Sequence, residues 1–142
     1  MTNILAIETS SVHCSIGLSK NKEIYSKHSQ EENSHGKLIF GFIKDLLKKS
    51  QLEKEDIDLI ALSIGPGSFT GLRVGCSVAQ GLAFGLKKKI LPLSSLNILA
   101  QNVFLHGEAE HLYIVKEAHM NDLYVGKFAR SIFLLIPNSY SL

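Results

Sequence analysis

The segment Gly65-Pro66-Gly67-Ser68-Phe69-Thr70-Gly71-Leu72-Arg73 concentrates three glycines, two hydroxyls and a guanidinium between an apolar run and a helical pattern. Glycine tolerates positive φ and lets another backbone or a phosphate come close. Ser68 and Thr70 can cap a helix, and the first turn of a helix offers free N–H groups. Arg73 can pair in two-pronged fashion with a carboxylate or phosphate. Two readings stand side by side. One is an anion cradle at a helix start. The other is a capped strand-to-helix turn with no ligand, because short glycine motifs recur without function. The segment is not a Walker A loop, since no Gly-Lys-Ser/Thr follows. The spacing Gly65, Gly67, Gly71 also departs from the Gly-x-Gly-x-x-Gly dinucleotide fingerprint.

Other reactive residue types are sparser. His106 and His111 flank Glu108 and Glu110 and can be written as a metal cluster, but they lie in a polar stretch that reads as a solvated linker. Ser10, Ser11 and Ser68 have no His–Asp pattern that would make one of them a nucleophile. Cys14 and Cys76 are far apart and have no zinc spacing. Two small apolar packing residues in a reducing compartment is the plainer reading of them.

These residues hang on a regular succession of elements. Residues 3–9 read as a buried strand. Residues 14–18 and 23–28 alternate as two more, with a turn at Lys20-Asn21-Lys22. A helix is expected over 34–50, with Asn33 or Ser34 as its cap and Leu38, Ile39, Phe42, Ile43, Leu46 and Leu47 in one stripe. Lys44, Lys48 and Lys49 suit the negative end of its dipole. Residues 57–64 read as a buried parallel strand. A helix rich in small residues follows from about Leu72 to Gly85, with Lys87-Lys88-Lys89 as a solvated turn. A strand at 90–93 and a helix from about Leu96 to Phe104, capped by Ser94 or Ser95, come next. Strands at 112–115 and 123–128 flank a turn at Met120-Asn121-Asp122. The order β-β-β-α-β-α-β-α, then β-β, implies a mixed sheet covered by helices, with a second copy of the motif beginning at the end.

The chain has 142 residues, 45% hydrophobic and 20% charged, with a net charge of +2. That suffices for one domain with a core, and the charge alone does not argue for nucleic-acid binding. No apolar run reaches the roughly 18 residues of a membrane span. Glu8 interrupts the N-terminal apolar stretch, so a signal peptide is not expected and the cytosol is the expected compartment.

The Gly65–Arg73 segment resembles the signature of the TsaB/YeaZ family almost letter for letter. The opening Ile4-Leu5-Ala6-Ile7-Glu8-Thr9-Ser10 is similar too, with Glu8 where Asp is commoner. Gly81-Leu82-Ala83-Phe84-Gly85-Leu86, Pro92-Leu93-Ser94-Ser95-Leu96 and Glu117-Ala118-His119-Met120-Asn121-Asp122-Leu123-Tyr124 follow in the family's order, the last where Asp-Ala-Arg is usual. The resemblance covers about residues 3–128. It implies an α/β, actin-like ATPase (ribonuclease H-like) lobe. That lobe has a mixed five-stranded sheet with helices on both faces, followed by the first hairpin of a second lobe. The implied division is a first lobe at 1–105 and a remnant of the second at 106–142, with a tail that diverges from about 129. Family members usually exceed 200 residues, so an early stop, a frameshift or a genuine short form is the expectation for this chain.

The resemblance further implies a non-catalytic scaffold subunit of the machinery that puts a threonylcarbamoyl group on the adenosine beside the tRNA anticodon. Its implied partners are a TsaD-like catalytic subunit and a TsaE-like ATPase. A homodimer is implied in isolation, tRNA is reached only through the complex, and no membrane is involved. Leu38, Phe42, Ile43, Leu46, Arg73, Gly75 and Ala79 are the implied interface, with Phe40 widening the first helix's apolar surface. The catalytic relative's His-x-x-x-His metal pair falls on Ser95 and Leu99 here, so no metal site is expected. Glu8, Thr9, Ser10, Gly65, Gly67 and Ser68 are the candidates for a vestigial nucleotide site. ATP or ADP is expected only at the interface with the catalytic partner. A nucleotide-binding ATPase of the same fold, or the peptidase that older glycoprotease names suggest, are the competing functions.

Overall fold

The computed structural model describes residues 2–29, 35–118 and 122–133. The elements run β1 (Ile4–Glu8), β2 (Ser15–Lys20), β3 (Glu23–His28), α1 (His35–Ser50), a 3-10 turn (Lys54–Asp56), β4 (Leu59–Ser63), α2 (Phe69–Leu86), β5 (Lys89–Leu93), α3 (Ser95–His106), β6 (His111–Glu117), β7 (Leu123–Ala129) and the short α4 (Arg130–Phe133). The expected caps Asn33 and Ser34 and most of the expected turn at Met120-Asn121 lie outside the described residues.

Five strands form one mixed sheet in the order β3-β2-β1-β4-β5. The β1–β2 and β2–β3 pairs are antiparallel, whereas β1–β4 and β4–β5 are parallel. Asn21 and Lys22 both take positive φ (51° and 72°), the backbone of a two-residue hairpin turn, so β2 extends to Lys20. Register stacks the apolar residues: Leu5 lies beside Leu18 and Ile60, and Ile7 beside Ile16 and Leu62. Ile39, Ile43 and Leu46 of α1 and Val78 and Ala79 of α2 close over this same set. Each of the larger side chains contributes about 1.5–3 kcal/mol by leaving water. Cys14 is buried among them and both cysteines are free thiols. Burial, and then the nearby Glu8 charge, pushes the Cys14 thiol up from its ordinary value, which keeps it unreactive.

Helix ends are closed by specific groups. Lys20 Nζ donates to Ser50 O (2.6 Å) at the C-terminus of α1. At the end of α2, Lys87 turns left-handed (φ 56°) and Lys88 N donates to Ala83 O. The expected lysine turn is therefore a helix C-cap, and Lys89 already belongs to β5. Asp56 accepts from Glu53 N (2.9 Å), which builds the 3-10 turn that periodicity does not reveal.

Strands β6 and β7 form a separate two-stranded sheet. Leu96, Ala100 and Phe104 of α3 are buried outside the first core, and a Cβ on Gly126 of β7 would meet Leu96. Arg130 closes this seam. Its guanidinium donates to Phe104 O (2.8 Å), Gly107 O (2.5 Å) and Ala109 O (2.9 Å), and lies over the Phe104 ring. Phe104 lies in the last turn of α3, and Gly107 and Ala109 lie in the segment that follows it. Arg130→Ala is expected to lower stability by roughly 2 kcal/mol, since it strands several acceptors at once. Urea unfolding of the two proteins measures the difference.

Candidate functional site

The loop after β1 and the glycine segment meet face to face. Gly65 adopts φ +90°, and the chain then turns into α2. Ser68 is its N-cap, with Oγ accepting from Gly71 N (3.2 Å). The helix therefore starts at Phe69, three residues before the expected Leu72. Ser68 N donates to Ser10 O (2.7 Å) and Leu72 N to Ser68 O (2.9 Å). A Cβ on Gly67 would overlap Ser10 O, and one on Gly71 would overlap Thr9 O, both well inside van der Waals contact. One helical turn later, a Cβ on Gly75 would strike Thr9 Oγ1. Every fourth residue of this face is thus bare, and the Thr9-Ser10 backbone lies in the trough.

Other polar groups tie the junction down. Glu8 Oε1 accepts from Ser10 N (2.5 Å). Ser95 N donates to Gly65 O (2.9 Å) and Ser95 Oγ to Pro66 O (2.7 Å), which anchors the start of α3. Lys116 of β6 reaches in from the second sheet. Its Nζ donates to Pro66 O (3.0 Å), Ser10 Oγ (3.3 Å) and Ser10 O (3.4 Å). Thr9 and Ser10 are buried, and Thr9 Oγ1 has no hydrogen-bond partner among the described residues.

The structure thus brings Glu8, Thr9, Ser10, Gly65, Gly67 and Ser68 together. It packs them closely against one another. The faces of Gly67, Gly71 and Gly75 are filled by Thr9 and Ser10 and that of Gly65 by Leu72, and the N–H groups of Ser68, Gly71 and Leu72 are committed to protein oxygens. A nucleotide of the kind the actin-like fold implies would find these particular atoms already bonded within the chain. At the positions matching the metal pair, Leu99 is hydrocarbon and the Ser95 hydroxyl is spent on Pro66 O. Glu108, Glu110, His106 and His111 are exposed, and His106 Nδ1 bonds Asn102 O.

The expected interface needs correction. Ile43 and Leu46 lie in the chain's own core, Ala79 is fully buried and Gly75 holds Thr9. Leu38 and Phe42 are half-buried. An apolar helical stripe faces the sheet because that is where most apolar area can be buried. Arg73 of the expected set and the associated Phe40 remain outside, together with residues the expectation did not include. On α2, Phe84 is 90% exposed, flanked by Gly81 and Gly85, where an added Cβ would meet nothing. Phe69 is exposed with the Arg73 guanidinium stacked 3.9 Å from its ring centre. On α1, Phe40 is 59% exposed, next to the equally open Gly41. Sequence reasoning missed Phe84, Phe69 and Lys116. A phenylalanine between two glycines on a helix is the available signal for the first.

Comparison with known proteins gives this geometry a family. A family model described as "TsaD: tRNA N6-adenosine threonylcarbamoyltransferase" matches residues 23–133. The chain is 37% identical over 127 residues to the tRNA threonylcarbamoyladenosine biosynthesis protein TsaB of Haemophilus influenzae, covering 89% of this chain and 54% of that protein. It is 36% identical to the TsaB of Buchnera aphidicola subsp. Schizaphis graminum, covering 93% of this chain and 63% of that one. The solved YeaZ from Pseudomonas aeruginosa superposes with a TM-score of 0.86 at 33% identity, over 91% of this chain and 61% of that one. The chain thus spans a little over half to under two thirds of these relatives' lengths. No helix among the described residues is long and apolar enough to cross a membrane. Sequence, sheet order and the glycine junction agree: the chain belongs to the TsaB/YeaZ group of the TsaD family.

Proposed function

We propose that this chain is a non-catalytic scaffold subunit of the assembly that installs threonylcarbamoyl on the adenosine beside the tRNA anticodon. It docks a TsaD-like catalytic subunit on the outer face of α1 and α2. A second copy occupies that face when the catalytic subunit is absent. A TsaE-like ATPase joins the assembly, tRNA is met only through the complex, and any ATP or ADP is held at the interface with the catalytic partner.

The observation that supports this reading is the outer face itself. Phe84, Phe69 and Phe40 stand out from two helices that pack against each other, beside glycines that carry no side chain into the space around them. Aromatic anchors next to small residues allow a partner helix to approach closely, and buried aromatics carry much of the energy of such interfaces. A junction whose Ser10, Gly65 and Pro66 carbonyls and whose Ser68, Gly71 and Leu72 N–H groups are spent within the chain suits a subunit that supplies a surface. The test is retention of the TsaD-like protein from the same cell by the tagged chain. Recovery near one to one is expected. Absence of that protein from the eluate, with the chain folded by circular dichroism, would overturn the proposal.

A further inference from the structure

The Lys116 ammonium reaches from the second sheet into the glycine junction, and neither the family likeness nor the scaffold reading uses it. We infer that Ser10 O, Ser10 Oγ and Pro66 O form an oxygen-lined seat for a primary ammonium, filled in cis by Lys116, and that this seat locks the β6–β7 hairpin onto the first sheet. Three oxygens converge on Nζ at 3.0–3.4 Å, matching the three donors of an ammonium. Two are carbonyls, which cannot give up a proton and so accept only from a donor or a cation. They come from two loops far apart in sequence, one after β1 and one after β4.

Groups other than the lysine also hold the seat. Ser10 is held by Glu8 through its N–H and by Ser68 N through its carbonyl. The Pro66 carbonyl is also bonded by Ser95 Oγ. A preorganised set of carbonyls loses little freedom on taking a cation, so the bond strength goes into positioning the hairpin. Lys116 sits on the face of β6 shared with Leu112 and Ile114, which are half-buried, whereas Tyr113 and Val115 on the other face are exposed. The ammonium therefore extends the packed side of the hairpin into the junction. Lys116 is a positioning residue, and its role holds whatever partner the outer helix face takes.

Native-state hydrogen exchange on Lys116→Met tests the lock, because methionine keeps the stem and removes the charge. The β6 and β7 amides are expected to exchange at least about tenfold faster, while those of Leu5 and Ile60 keep their protection. Hairpin exchange within twofold of the parent, or an equal loss of protection throughout the chain, overturns the inference. Lys116→Ala tests the seat. Added n-propylammonium is expected to restore slow hairpin exchange, and propan-1-ol at the same concentration is not. Equal rescue by the two compounds, or rescue by neither, overturns the seat. If Lys116→Ala does not fold without additive, folding on addition of propylammonium but not of propanol is the expected result, and its failure counts against the seat in the same way.

Discussion

Gly71→Ala is expected to cost about 3 kcal/mol or more, and Gly81→Ala to gain up to about 1 kcal/mol, although the two residues lie in the same helix and the substitution is the same. At Gly71 the new methyl meets Thr9 O, a main-chain atom of a fully buried residue. That oxygen cannot swing aside as a side chain would. Either α2 lifts from the sheet, which opens the Val78 and Ala79 contacts, or the loop after β1 moves and loses the Ser68–Ser10 bond. At Gly81 the methyl points into open space, so only the higher helix propensity of alanine is felt. In a chain of this size the first change corresponds to a fall of roughly 10 °C in the unfolding midpoint. Scanning calorimetry on both variants gives the signs. A Gly71→Ala protein as stable as the parent would refute the close packing of α2 on Thr9.

Phe84→Ala is expected to leave folding untouched and to weaken association at the outer helix face by at least about 30-fold, or 2 kcal/mol. The ring is 90% exposed, so truncating it removes almost nothing from this chain's own packing. In the assembly the same ring would be the central apolar anchor, and truncating such an anchor costs both burial and fit. Gly81→Arg is the companion change. It adds a long side chain where the helix surface is bare, stabilises the helix and obstructs a close partner. A variant that is more stable yet no longer associates separates binding from folding. Sedimentation of the isolated chain reads the self-association, and unchanged association in both variants would move the interface elsewhere.

Much of the fold is legible in the sequence because its elements follow simple periods. The alternation in residues 15–28, the continuous apolar run before Gly65 and the helical stripe from Leu38 to Leu47 each have one economical solution. The β3 boundaries at Glu23 and His28 coincide with expectation, and the chain order of β1 to β7 does as well. Functional surfaces are less legible for the same physical reason. Ile43, Leu46 and Ala79 look like an interface only when the sheet that covers them is left out. The exposed set is made of isolated phenylalanines and glycines, which carry no period. The glycine segment shows an intermediate case. Its residue types permit a phosphate or a backbone, and only the position of Thr9 and Ser10 decides for the backbone. Lys116 and Arg130 are single cations whose acceptors are main-chain carbonyls far away in sequence, a pairing that no side-chain pattern announces.

Under the proposed function, a TsaD-like catalytic subunit docks on the bare outer face of α1 and α2. Calorimetric titration of the parent chain and of Gly81→Arg into that subunit tests it most directly. Saturable one-to-one binding by the parent and its loss in the variant are expected, with the variant's unfolding midpoint at or above the parent's. Equal binding by both proteins, or none by the folded parent, would contradict it.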